Sequence, residues 1–229
     1  MRAPTFYALK AGGWHDYLNL LHLPYLIWHL SYVMVGAAAA PRIHADRLVA
    51  TLVAFGLAVG ISSHALDELK GRPLQTKILR SHLMCMAAST FATAAALGVT
   101  GAVVLDRWLL VFVGAGAFLA VGYNLEIMGG RFHNRFWFGL SWGAFPVLTS
   151  YWVQKGSISY VAILVAAVCL MLALIQNYFS RRAKSIRRSV KPPDEIEIRR
   201  MKSYERALRG MAFAIPIVVT CLFIARLGR

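Results

Sequence analysis

The chain has 229 residues, 58% of them hydrophobic, with a mean hydropathy of +0.56 and a formal net charge of +15. That apolar content excludes an ordinary soluble domain and points to a polytopic membrane protein. The positive charge does not call for nucleic acid: no soluble basic domain is visible, and cytoplasmic loops of membrane proteins collect Lys and Arg.

The opening residues hold Trp14, His15 and Asp16 and lack the unbroken apolar core of a cleavable signal peptide. Trp14 and Tyr17 suit an interfacial segment leading into the first span. Apolar runs able to cross a bilayer lie at about 20–40, 48–66, 82–104, 108–127, 136–153, 158–178 and 210–226. The expected fold is therefore all-α, one transmembrane domain over 1–229 built as a bundle of about seven helices. On the first span His22, Tyr25, His29 and Tyr32 recur at three- and four-residue steps and form one polar stripe. Gly114, Gly116 and Gly122 would let the fourth span approach its neighbours closely. The fifth is short and carries Ser141, Trp142 and Pro146. A basic loop fills 179–209, broken by Pro192-Pro193, and residues 194–200 read as a short amphipathic surface helix. Cys85, Cys169 and Cys221 lie in apolar segments without CxxC spacing and read as small buried side chains rather than disulfide or zinc partners.

Seven spans put the termini on opposite sides of the membrane. Nineteen Lys and Arg fall in the N-terminal segment and the loops near 67–81, 128–135 and 179–209, against six on the other side. That split predicts a cytoplasmic N-terminus and a C-terminus on the opposite face. The run from Arg181 to Arg209 would anchor to anionic lipid headgroups.

The candidate chemistry gathers on the same side. Ser63 to Leu74 sets an imidazole, two carboxylates and a guanidinium at the end of a span, and ionisable groups there are a functional-site hypothesis by default. On a helix, His64 stands three residues before Asp67 and four before Glu68, so one face can carry all three. That face suits a metal half-site, or a hydrogen-bonded helix end paired with Lys70 or Arg72. Glu126 and His133 bracket Gly129-Gly130, which permit a reversal bringing Glu126 back toward His64. The alternative for Glu126 is a pair with Arg131 or Arg135. His22 and His29 can line a cavity for a polar head, or be satisfied by neighbouring helices.

Leu23-Pro24-Tyr25-Leu26-Ile27-Trp28, continuing to Gly36, resembles the first helix of the UbiA superfamily of intramembrane prenyltransferases. Ser63 to Leu74 is similar to that family's first aspartate-rich motif, Asn-Asp-x-x-Asp followed by Arg-Pro-Leu or Arg-Pro-Ile. Ser63 stands for the Asn, His64 for the first Asp and Asp67 for the second, with Arg72-Pro73-Leu74 after a shortened gap. Gly122-Tyr123-Asn124, Trp142-Gly143 and Phe145-Pro146 resemble the fourth and fifth helices, so the likeness covers about residues 20–190. The chain departs from the family in having about seven helices rather than nine. It also departs where the second acidic motif should follow the sixth helix: Gln176 to Arg188 carries no carboxylate.

The resemblance implies metal-assisted transfer from an isoprenoid diphosphate at the cytoplasmic side, with Mg²⁺ at Asp67 and Glu68. Arg72, with Arg181, Arg182 or Arg188, would meet phosphate oxygens, and Tyr123 and Asn124 would line the site. A second expectation is a membrane metalloenzyme holding Zn²⁺ or Fe through His64, Asp67, Glu68, Glu126 and His133 and doing hydrolytic or oxidative lipid chemistry. A third is a non-catalytic lipid-binding membrane protein.

Overall fold

The computed structural model describes residues 5–10, 12–189 and 191–227, and all regular structure among them is helical. Helices α1 (Trp14–Leu21) and α2 (Leu23–Ala39) meet at His22, whose backbone is left-handed at φ 48°. Pro24 at the start of α2 fits there because the first helical N–H groups have no intrahelical acceptor. Helix α3 (Ala45–Phe55) runs through wide π-helical turns at Gly56–Ser63 into α4 (His64–Gly71). Then come α5 (Arg80–Val104), α6 (Leu109–Asn124) and a single distorted turn, α7 (Ile127–Gly130). Helix α8 (Arg135–Gly139), π turns at Leu140–Ala144 and α9 (Phe145–Lys155) form one continuous rod. The Asn134 side chain caps α8 by accepting from the Trp137 N–H, and Gly156 ends α9 in the left-handed region at φ 74°. Last are α10 (Tyr160–Arg187), capped by Ser159, and α11 (Glu195–Leu227).

Five stretches are long and apolar enough to cross a membrane: Trp14–Ala39, Ala45–Gly71, Arg80–Val104, Tyr160–Arg187 and Glu195–Leu227. Their outer faces expose Val103, Leu164, Phe213 and Leu222, side chains that water would not tolerate in continuous belts. This is an all-α membrane protein. Of the seven expected spans, five meet these criteria. Helix α6 has 16 residues and falls short of a full bilayer crossing. The 136–153 run is diluted by Ser141, Thr149 and Ser150.

Two boundaries also change. The second span reaches Gly71, which puts Asp67 and Glu68 inside a helix rather than in a loop. The 179–209 segment is mostly helix: α10 runs on to Arg187, and Glu195 to Arg209 belongs to α11 rather than to a separate surface helix. Arg, Lys, Glu and Ala are good helix formers, so the charged stretch prolongs both rods and only the Pro192-Pro193 neighbourhood breaks them. At about 1.5 Å per residue, the 33 residues of α11 exceed a bilayer's thickness. Of the cysteines, only Cys169 is buried, and Cys85 and Cys221 face outward.

The main core joins α2, α9, α10 and α11 through Trp28, Tyr32, Val147, Cys169 and Ala212, with the Trp28 indole donating to the Tyr32 hydroxyl at 2.5 Å. A second cluster, Leu20, Ala65, Ile78, Leu83 and Ala87, packs the foot of α4 against α1 and α5. Helices also approach closely at Gly143. A Cβ there would sit 2.6 Å from the Cys169 carbonyl oxygen and 2.8 Å from the Leu170 Cα, both rigid backbone. Gly143→Ala is therefore expected to destabilise the protein by about 1–3 kcal/mol, whereas Gly114→Ala, which meets open space, is not. Thermal midpoints in detergent compare the two; equal midpoints would refute the close contact.

Candidate functional site

The π turns set up the site. Their extra width rotates α4 relative to α3, and such turns recur at functional sites. Ser62 donates across to the Ala87 carbonyl at 2.9 Å and fixes the stretch against α5. His64 Nδ1 lies 3.1 Å from the Gly60 carbonyl, and its ring stacks on His22 with centroids 4.2 Å apart. His22 in turn meets the Tyr7 hydroxyl at 2.5 Å. Burial holds the Tyr7 phenol above its ordinary range, so Tyr7 remains a proton donor to that imidazole.

The two neighbouring carboxylates have different fates. Glu68 is fully buried and accepts from the Leu74 N–H at 3.1 Å and from the Thr76 N–H and hydroxyl at 2.8 Å each. It organises the loop after α4. Arg72, left-handed at φ 46°, turns its guanidinium into the same loop and donates to the Thr76 and Ile78 carbonyls at 2.8 and 2.9 Å. The buried Asp16 carboxylate accepts from the Gly12 and Lys77 N–H groups at 2.8 and 2.7 Å, tying α1 to that loop. Asp67 points elsewhere. It makes no hydrogen bond or ion pair with a described residue, and Lys184, Glu126, Glu68 and Lys70 are the charges near enough to act on it.

Around Asp67 stands a polar rim. Lys70 pairs with Glu126 at 2.5 Å, both 41% exposed, and this hydrogen bond holds the Glu126 carboxyl below its usual range. Glu126 and Met128 are both left-handed, so the chain reverses here as the glycine pair suggested. His133 stacks on Tyr123 at 4.4 Å, with Nδ1 3.0 Å from the Tyr123 carbonyl and 3.8 Å from Glu126. Tyr123 feels the charges of Asp67, Arg181 and Glu126. Arg182 lies over the Tyr178 ring at 5.4 Å, away from this rim. His29 is buried, with Nδ1 3.0 Å from the Trp142 carbonyl and Nε2 3.5 Å from the Gln176 amide.

The sequence reading thus needs correcting at several positions. His64, Asp67, Glu68, Glu126 and His133 do not all meet at one point: among the described residues no group of three or more His, Cys, Asp or Glu is placed to hold a metal ion. Glu68 and Arg72 are held by loop backbone, and Glu126 takes Lys70 as partner rather than Arg131 or Arg135. The residues brought together are Asp67, Lys70, Tyr123, Glu126, Arg181 and Lys184. Lys184 was hidden in the basic run. Its spacing of three from Arg181 was the available signal. Among the oxygen groups left without a described partner are the Asp67 carboxylate and the buried amide oxygens of Asn124 and Asn177. Such a set suits Mg²⁺ with retained waters better than zinc or iron.

Beside this polar end lies an apolar cavity of about 190 Å³ between α3, the first π turns, α5, α6 and α9. Phe55, Phe91, Phe112 and Phe145 wall it, and it ends at Ser63, one helical turn before Asp67. The hydroxyls of Thr51, Ser63 and Thr149 bond to their own helix carbonyls at 2.7, 3.0 and 2.8 Å, so most of the lining is hydrocarbon in character; Arg47, the Ser141 hydroxyl and the Trp142 indole N–H, the last two without a described partner, are its polar exceptions.

No family model, no curated protein and no solved structure matches this chain.

Glu68→Gln is expected to cost about 2–4 kcal/mol, because an amide cannot satisfy donors meeting a buried carboxylate on both oxygens. Glu126→Gln should leave the thermal midpoint nearly unchanged, since exposed pairs contribute little. The Lys70–Glu126 pair is fully formed above the ordinary Glu pKa of about 4.3 and is lost as the pH falls through the lowered folded value. Removing Glu126 should therefore flatten only the acid limb of a stability-versus-pH curve. A midpoint drop in Glu126→Gln matching that of Glu68→Gln would contradict this division.

Proposed function

We propose that this protein is an intramembrane enzyme of UbiA-like form that transfers a prenyl group from an allylic diphosphate to a lipid or isoprenoid acceptor. The carrying observation is the pairing of a hydrocarbon-lined cavity with a single unpartnered carboxylate, Asp67, under a cationic rim. Such a pairing fits a substrate with a long apolar chain and a strongly anionic head. In this reading α6 and the α8–α9 rod are two further, shorter spans. That makes seven, with the N-terminus cytoplasmic and the rest of the basic surface, Arg182 included, against anionic headgroups.

The chain lies in the cavity and the reacting carbon reaches the Ser63 end. The C–O bond to the diphosphate breaks with its electron pair going to the leaving group. The acceptor nucleophile then bonds to the carbon and releases its proton to solvent. Asp67 would hold Mg²⁺, which when bound supplies positive charge to the departing diphosphate. Tyr123, stacked on His133, forms the wall beside the head. Glu68 and Arg72 act at one remove by holding the loop that fixes the end of α4. The loop-bound state of those two residues also favours a second reading, a non-catalytic lipid-binding protein.

Purified protein in nanodiscs, offered prenyl diphosphates of several lengths with Mg²⁺ and extracted lipid acceptors, should release diphosphate. Asp67→Asn should slow that release about 100-fold or more while leaving the thermal midpoint intact. Lipid binding with no turnover of any diphosphate would decide for the second reading.

A further inference from the structure

The last turns of α10 carry a polar stripe that prenyl transfer alone does not explain. Asn177, Arg181, Lys184 and Arg188 follow one another at steps of four, three and four residues, so they share one helix face. The direction of that face is fixed at its end, where the Arg188 guanidinium donates to the Pro73 carbonyl at 3.2 Å, on the loop that Glu68 organises. Lys184 lies about 6 Å before Arg188 along the axis and faces back over α4. It is the first charge acting on Asp67, and its field also reaches His22. Arg181, a turn further back, acts on Tyr123. Asn177 ends the stripe with a buried amide oxygen that has no described partner. Lys184 makes no ion pair or hydrogen bond with a described residue. Glu205 is the nearest acid offered by α11, and it is taken by Arg187 on another face.

Three cations on one face, above one unpartnered carboxylate, leave the mouth with an excess of positive charge. Multivalent phosphate oxygens are the matching ligand, met bidentately by Arg and as a point charge by Lys. We infer that the stripe Arg181–Lys184–Arg188 is a direct diphosphate-binding face, with Lys184 the residue that sets its affinity, and that it holds the anion without a metal ion at that face. This deepens the proposed reaction and rests on it only for the anion being a substrate. It also accounts chemically for a basic sequence where the resemblance calls for acids: the helix supplies the positive charge itself.

Binding separates the two claims. Inorganic diphosphate is titrated calorimetrically into protein in zwitterionic nanodiscs, with EDTA present. Wild type should bind, and the affinity should fall as salt rises. Lys184→Gln should weaken binding about tenfold or more. Arg182→Gln, one residue along but off the face, should bind like wild type. Arg181→Gln provides a second on-face variant should Lys184→Gln fold poorly. Absence of binding without metal, or equal losses in Lys184→Gln and Arg182→Gln, would overturn the inference. A phosphate-bearing lipid headgroup is the other source of the same chemistry. If Lys184→Gln reduces only attachment to phosphatidylglycerol vesicles and free diphosphate does not bind, the face is a headgroup anchor and the inference fails. Metal-free diphosphate binding that depends on Lys184 supports the inference even if no prenyl diphosphate turns over, in which case the enzymatic reading alone falls.

Discussion

The buried Glu68 carboxylate is the constraint on which the site's geometry depends. Its oxygens hold three donors from residues 74–76, folding the chain back under α4 directly after the helix ends. A charge with no exposed surface persists only when such donors surround it. Once that loop is set, three other polar contacts become possible. Arg72 closes it from within, Asp16 fastens it to α1, and Arg188 reaches it from α10. Two parts of the chain far apart in sequence, α1 and α10, thus meet α4 at one short loop, and the neighbouring Asp67 is held in place by bonds it does not itself make.

Departures from regular helix concentrate around the same place. His22, Arg72 and Glu126 have left-handed backbones, a conformation of about 1–3 kcal/mol strain for residues other than glycine; His22 stacks on His64, Glu126 acts on Asp67, and Arg72 closes the loop after α4. The π turns before α4 add a further irregularity. Each break redirects a polar group inward that a straight helix would have pointed elsewhere. In a membrane protein these irregularities also need internal hydrogen-bond partners. Part of the polar inventory, including the Arg72 and His64 bonds to backbone carbonyls, is spent on that.

The apolar runs were enough to read the helical class and the core of most spans, because bilayer thickness imposes a length that composition alone reveals. They failed where charge and helix coexist. Residues 195–209 were read as surface because charges mark span ends, yet their propensity carries α11 straight through. The importance of Ser63 to Leu74 was also readable, since adjacent acids at a span end are conspicuous. The division of labour within it was not. Glu68 is satisfied by backbone N–H groups six and eight residues away, and no side-chain pattern announces a backbone partner. Lys184 was obscured by its neighbours, since a run of eleven Lys and Arg does not mark which one lies near enough to act on Asp67.

That last ambiguity is where sequence and structure combine to most effect. A helix face is defined by spacing, but its orientation needs one fixed point, and Arg188 on Pro73 supplies it. From that contact the periodicity of α10 directs Lys184 and Arg181 toward Asp67 and Tyr123, while Arg182 turns aside to Tyr178. Two adjacent arginines, indistinguishable by composition, therefore belong to different surfaces, one on the mouth and one on the helix exterior. The same reasoning separates Asp67 from Glu68 on α4. At both positions neighbouring residues of one chemical type diverge because a helix turns by about 100° per residue. The candidate site is the place where Asp67, the unpaired member of one pair, and Arg181, the member of the other that leaves the Tyr178 ring to its neighbour, both act on Tyr123.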